Sequence, residues 1–206
     1  MSKRGDSMFS ILGRTIGNVF SFSLPMIIIS VVVVVTLRIA DIIKNKKQVC
    51  LYKEIIMLSF LIYILCLFQV VTFQDSSYGG GNNLIPFKEI FRYDFGSRLF
   101  LKNVLGNVLL FLPYGFFTSY YLKEKKWWPI LILTLIASLT IETTQLMIGR
   151  VFDIDDILLN AIGGMLGHYL YNGLLKIGSI CPRIFCSTWF LNLVSAILLV
   201  GLLTLL

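Results

Sequence analysis

Charge is scarce in this chain: only 14% of its residues are Asp, Glu, Lys or Arg, while 57% are hydrophobic and the mean hydropathy is +0.84. Soluble globular domains carry about 25% charged residues, so a soluble globule is excluded. Histidine occurs once, as His168, and the four cysteines (Cys50, Cys66, Cys181 and Cys186) form no C-x-x-C pair. Reduced thiols are therefore expected, with no disulfide, no zinc site and no cofactor. Strict alternation of apolar and polar residues is also missing. Runs such as IIISVVVVV, from Ile27 to Val35, do not fit the strands of a transmembrane β-barrel. No internal repeat or low-complexity linker divides the chain, so one membrane domain over residues 1–206 is expected.

What the chain does have is length in its apolar runs. A hydrocarbon core of about 30 Å needs roughly 20 apolar residues in a helix. Five runs qualify: Thr15 to Leu37, Ile55 to Gln74, Asn103 to Leu122, Ile157 to Leu175 and Ile184 to Leu206. A sixth, Trp127 to Gly149, is interrupted only by Glu142. The expected fold is all-α, a polytopic helical membrane bundle of about six transmembrane helices, or five if the first segment does not span. No small-residue cleavage site follows Lys3 and Arg4 before Arg38, so the first run is expected to be retained.

A net charge of +7 would fit nucleic acid if it were gathered on one soluble face, but the bases lie in short loops between runs, and no nucleic-acid partner is expected. Ten basic residues, including Arg38, Lys44, Lys123 and Lys176, fall on one side of a six-helix arrangement and eight on the other. The richer side is expected to be cytoplasmic. Tyr120, Tyr121, Trp127, Trp128, Tyr169, Tyr171 and Trp189 would form its aromatic belt.

The longest segment between runs, residues 75–102, begins with a glycine turn at Gly79 to Gly81. It continues with Ile85, Phe87, Ile90 and Phe91 mixed among Lys88, Glu89 and Arg92, a pattern that predicts a short helix in the outer interface. Such a helix fits a lid over the bundle or a ligand contact equally well.

The polar residues that remain gather at three run ends. The third run opens with Asn103 and Asn107, the fourth closes with Glu142 and Gln145, and the fifth opens with Asp156 and Asn160. Spacings of three and four keep each pair on one helical face. Because successive helices alternate in direction, all three pairs lie at one depth. Arg150 and Arg98 are the available counter-ions for Glu142. On the fifth run the same face continues through Gly163, Gly164 and Gly167, a seam of small residues for helix packing. It fits either an intramolecular contact or a dimer.

At these residues the chain resembles the VanZ-like family of small bacterial membrane proteins. The resemblance rests on NLIPF (Asn83 to Phe87), NVLLFLPYGFF (Asn107 to Phe117), IETTQL (Ile141 to Leu146) and GRVFDIDDILLNAIGGMLGHYL (Gly149 to Leu170). It covers a core of about residues 83–171. The family pattern falls on Asn83, Pro86, Asn107, Pro113, Gly115, Glu142, Gln145, Arg150, Asp153, Asp156, Asn160, Gly163 and Gly167. The resemblance implies an association with resistance to teicoplanin-type glycopeptides and an outward-facing polar cluster.

Three functions fit the residues. The first is a non-enzymatic pocket for a lipid-linked envelope molecule or a lipid-tailed drug, with Asn83, Pro86, Phe87, Arg98, Asn103, Asn107, Glu142, Gln145, Arg150, Asp153, Asp156 and Asn160 as candidate ligand contacts. The second is an intramembrane enzyme acting on a lipid phosphate or cell-wall precursor, with Asp153, Asp155, Asp156 and Glu142 on a hard divalent ion. Histidine-dependent chemistry is excluded there, because His168 lies about three turns along the fifth helix from Asp156 at about 1.5 Å per residue. The third is interhelical packing alone. In each case membrane lipids are the partners and the bacterial cytoplasmic membrane the location.

Overall fold

A computed structural model describes residues 8–46, 48–73, 82–180 and 187–204. Helix α1 spans Met8–Asn45, α2 Leu51–Phe73, α3 Arg98–Leu122, α4 Trp127–Met147, α5 Ile154–Ile180 and α6 Thr188–Thr204. Four of the six contain stretches long and apolar enough to cross a membrane: Pro25–Asn45, Leu51–Gln69, Arg98–Leu122 and Trp127–Met147. The only β-pairing among the described residues is an isolated parallel bridge between Asn83 and Asp153. The glycine turn at Gly79 to Gly81, the cations Lys3, Arg4 and Arg183, and Cys181 and Cys186 lie outside the described residues; Cys50 and Cys66 are free thiols.

The chain forms two compact units. One comprises residues 1–73 with 181–206, the other residues 74–180. In the first, α2 packs against both α1 and α6. Arg38, near the end of α1, holds the start of α2 by a fork of two hydrogen bonds to Glu54, 2.9 Å from Nε to Oε2 and 2.8 Å from Nη2 to Oε1. The same guanidinium reaches Asp41 at 3.0 Å. A planar fork matches a carboxylate where a lysine would supply only a point charge. Arg38→Lys is therefore expected to loosen the α1–α2 hairpin, read as faster proteolysis between residues 45 and 51 with α2 still helical.

In the second unit the arrangement of polarity is inverted relative to a water-soluble bundle. Helix α4 buries Thr134, Ser138, Glu142 and Gln145, spaced by four, four and three, and exposes Ile132, Ile136 and Leu139. Helix α5 likewise buries Asn160 and His168 and exposes Ile162, Leu166 and Leu170. Such faces are stable only where the surroundings are as apolar as the side chains, because polar groups turn inward when lipid cannot satisfy them.

Helices α3 and α5 approach until their backbones touch. A methyl group at Gly163 would stand 2.2 Å from the Val108 carbonyl oxygen, one at Gly167 2.1 Å from that of Leu112, and one at Gly115 1.8 Å from that of Gly164. Gly164 instead meets the Thr134 side chain of α4, at 2.5 Å from its hydroxyl. The three helices therefore share one glycine-lined seam, within a single copy of the chain.

Toward the other end of that seam the buried His168 joins α3 to α5. The Ser119 hydroxyl donates to the Gly115 carbonyl at 2.7 Å, so it accepts from His168 Nδ1 at 2.9 Å. That assigns the proton to Nδ1 and leaves Nε2 to accept from the Asn172 amide at 3.0 Å. His168 is thus one link in a chain of hydrogen bonds that joins α3 to α5. Replacing it by Phe leaves buried polar partners unsatisfied and is expected to lower unfolding stability in detergent by about 1–3 kcal/mol, with His168→Gln recovering part of the loss.

Candidate functional site

The site sits where the start of α3, the end of α4 and the start of α5 meet. Helix α4 stops through a glycine: Gly149 adopts φ +82°, its N–H bonds to the Leu146 carbonyl at 3.1 Å, and the Arg150 N–H bonds to that of Gln145 at 3.0 Å. This paired closure turns the chain sharply, so that Arg150 to Asp153 return across the helix end. Asp153 then caps α5, its Oδ1 accepting the Asp155 N–H at 2.9 Å.

Residues 82–85 lie alongside this return. Asn83 donates its N–H to Phe152 O at 2.9 Å and accepts from the Ile154 N–H at 3.0 Å. Its side-chain amide donates to Asp153 Oδ1 at 2.8 Å, and Asn82 Oδ1 accepts the Phe152 N–H at 3.1 Å. From there the chain turns at Pro86 and Phe87, whose φ of +67° is unusual for a bulky residue. The expected short helix in residues 75–102 is found as one 3₁₀ turn, Ile90–Arg92.

Asp155 holds that turn from below. It is 1% exposed, and its carboxylate accepts three backbone N–H groups, from Phe87 at 2.5 Å, Glu89 at 2.7 Å and Ile90 at 3.3 Å. Glu142, also 1% exposed, accepts the Asp153 N–H at 3.0 Å through Oε2. Asp156 accepts from the Asn107 side chain on α3. The charges of Glu142, Asp153 and Arg150 all lie close enough to act on Asp156. The acids of the 141–156 stretch are therefore drawn together from two helix ends and a turn.

Burial pushes the Asp153 carboxyl above its ordinary value of 3.8, against the Asn83 and Asp155 donors that pull it down. The nearby charges of Asp155 and Glu89 add to the rise. A raised folded-state value means that the native protein binds the proton more tightly than the unfolded chain. This contribution to stability is complete below the unfolded value and is lost as pH rises through the folded one. Asparagine at 153 keeps an acceptor oxygen and the cap but has no charge to bury. Asp153→Asn is expected to be within about 1 kcal/mol of the parent at acid pH and to gain on it as the pH is raised, measured by unfolding midpoints across pH.

The other candidates divide by position. Asn103, in a π-helical stretch Leu101–Leu105, donates to the Tyr93 hydroxyl at 2.9 Å, and Asn160, one turn below Asp156, donates to Ser138 at 2.9 Å. Gln145 is buried and Arg150 half-buried beside the cluster. Pro86, Phe87 and Arg98 are exposed at its edge. Gly163, Gly164 and Gly167 line the seam below. Among the described residues no group of three His, Cys, Asp or Glu side chains is arranged to hold a metal ion.

Sequence reading missed Ser138, Thr134 and Tyr93 as partners. Ser138 and Thr134 had a signal, since they continue the Glu142 face backward at steps of four. Asn82, Tyr93 and the anchoring role of Asp155 had none.

A family model described as VanZ/LLP1 matches residues 56–176, which takes in most of α2 as well as the 83–171 core. Protein VanZ from Enterococcus faecium is 36% identical over 72 residues, covering 34% of this chain and 44% of that protein. The chain thus spans less than half the length of that curated relative. No solved structure matches it.

Proposed function

The chain belongs to the VanZ/LLP1 family, and from that premise we propose that it contributes to resistance against teicoplanin-type glycopeptides in the bacterial cytoplasmic membrane. In this reading a polar cluster facing outward binds or handles a lipid-linked envelope molecule or the lipid-tailed drug. One observation carries it: buried Glu142 on an apolar helix accepts the Asp153 N–H, with Asp156 and Arg150 near enough to interact electrostatically, at a single end of α3, α4 and α5. Ionisable groups within apolar helices are costly and collect at functional sites. An amphiphile suits the surroundings, with its tail along the apolar faces of the helices and its amides and charges at their polar ends.

The test is Glu142→Gln and Asp156→Asn, expressed at parental levels in a glycopeptide-susceptible host. Each swap keeps an acceptor oxygen for its N–H donor, so the fold survives while the ionisable group is removed. Lipoglycopeptide tolerance is expected to fall to that of cells lacking the protein. Full tolerance in both variants would end this reading.

A second reading, in which the cluster serves packing, is favoured by one specific feature: Glu142, Asp153, Asp155 and Asp156 each already accept a hydrogen bond from the chain itself. The metal-dependent alternative is weakened by the same feature, since Asp155 has both oxygens occupied by backbone N–H groups.

A further inference from the structure

Between Asn83 and Ser97 the N–H groups of Phe87, Glu89 and Ile90 turn inward to Asp155 while most of the large apolar side chains are exposed. Asp155 and Asp153 take up its polar groups. Phe91 and Phe95 are left 83% and 92% exposed, and Leu84, Ile85 and Phe87 are exposed by more than half. Around them stand the exposed cations Lys88, Arg92, Arg98 and Lys102, against the acids Glu89 and Asp94.

A loop on a water-soluble protein would not hold two phenylalanines in water while its polar N–H groups are tied inward. Here the loop runs directly into Arg98, where the apolar stretch of α3 begins, and it is hydrogen-bonded to the first residues of α5. Covalent continuity with a spanning helix sets its height at the boundary between hydrocarbon and headgroups. At that height exposed rings and an excess of cations are complementary to an anionic lipid surface.

We propose that residues 84–95 form a membrane-interface anchor, with Phe91 and Phe95 inserted among lipid chains and Lys88, Arg98 and Lys102 against the phosphates of anionic phospholipids. The tie to Asp155 is what makes this possible, because it satisfies the backbone that lipid could not. The anchor is independent of which drug or precursor the polar cluster engages.

The experiment uses the full chain reconstituted in vesicles of zwitterionic phosphatidylcholine with or without anionic phosphatidylglycerol. Phe95→Trp is read as a difference from the parent, which already contains Trp127, Trp128 and Trp189. The added indole is expected to be quenched by lipids brominated on the acyl chain, at a depth of about 5–10 Å below the headgroup boundary, and shielded from acrylamide. Removing the anionic lipid, or combining Lys88→Gln with Arg98→Gln, is expected to make it shallower. Phe91→Trp, four residues earlier in the same loop, gives an independent reading if the first variant does not fold. Quenching by acrylamide without quenching by brominated lipid would overturn the proposal. So would shielding that ignores brominated lipid and disappears when protein is diluted in lipid, which would point to a second copy of the chain. A depth unaffected by lipid charge would remove the anionic preference.

Discussion

Gly167→Ala is expected to cost more than about 3 kcal/mol of unfolding stability, while Gly173→Ala on the same helix is expected to change it by less than about 1 kcal/mol, in the stabilising direction. Both add one methyl group to α5. At Gly167 that methyl would stand 2.1 Å from the Leu112 carbonyl oxygen and 2.7 Å from the Phe116 nitrogen, whereas at Gly173 nothing lies within 4 Å. The atoms met at Gly167 are backbone, so no rotamer change relieves the overlap and α3 must move away as a body. Separation would also loosen His168 from Ser119 and Asn107 from Asp156, since both bonds bridge the same two helices.

Gly163→Ala and Gly115→Ala are expected to behave like Gly167→Ala, because their obstacles are the Val108 and Gly164 carbonyls. Gly164→Ala is expected to be milder, since what it meets is the Thr134 side chain. Equilibrium unfolding in mixed detergent, or accumulation in the membrane, would rank the series. Equal stability of Gly167→Ala and Gly173→Ala would mean that α3 and α5 do not approach this closely.

Much of this was legible in the sequence, for reasons of period and length. Apolar runs of about 20 residues identify helices whatever packs against them, and α4 as found, Trp127–Met147, ends two residues short of the run. Alternating helix direction then puts Asn107, Glu142 and Asp156 at one end without any knowledge of tertiary contacts. The Asn107–Asp156 hydrogen bond and the hold of Glu142 on the Asp153 N–H occur at that end. What the sequence could not display is backbone chemistry. The bridge between Asn83 and Asp153 joins residues 70 positions apart through main-chain groups, which leave no side-chain pattern. For the same reason Asp155 read only as one member of an acidic run.

Asp155 is therefore where the second large effect is expected. Asp155→Ala removes the acceptor for three backbone N–H groups, at Phe87, Glu89 and Ile90, while the loop keeps its ties through Asn83 and Tyr93. Hydrogen bonds to an ionised group contribute about 1.5–3 kcal/mol each, and the loss of even two should speed hydrogen exchange at those amides by about a hundredfold. Asp155→Asn is expected to fall between: one oxygen still accepts, but the new NH₂ group faces donors. Asp153→Asn, two residues earlier, is expected to leave exchange at those three amides nearly unchanged, because they bond to Asp155 and the hydrogen bonds accepted by the Asp153 side chain both use Oδ1. Unchanged exchange at Phe87, Glu89 and Ile90 in Asp155→Ala would show that the loop is held by something else. The pair also separates the two readings of the cluster. If Asp155→Asn abolishes drug tolerance while Glu142→Gln preserves it, the acids matter by positioning the loop. If Glu142→Gln abolishes tolerance with those amides still protected, the carboxyl group at the helix ends is itself what the ligand meets.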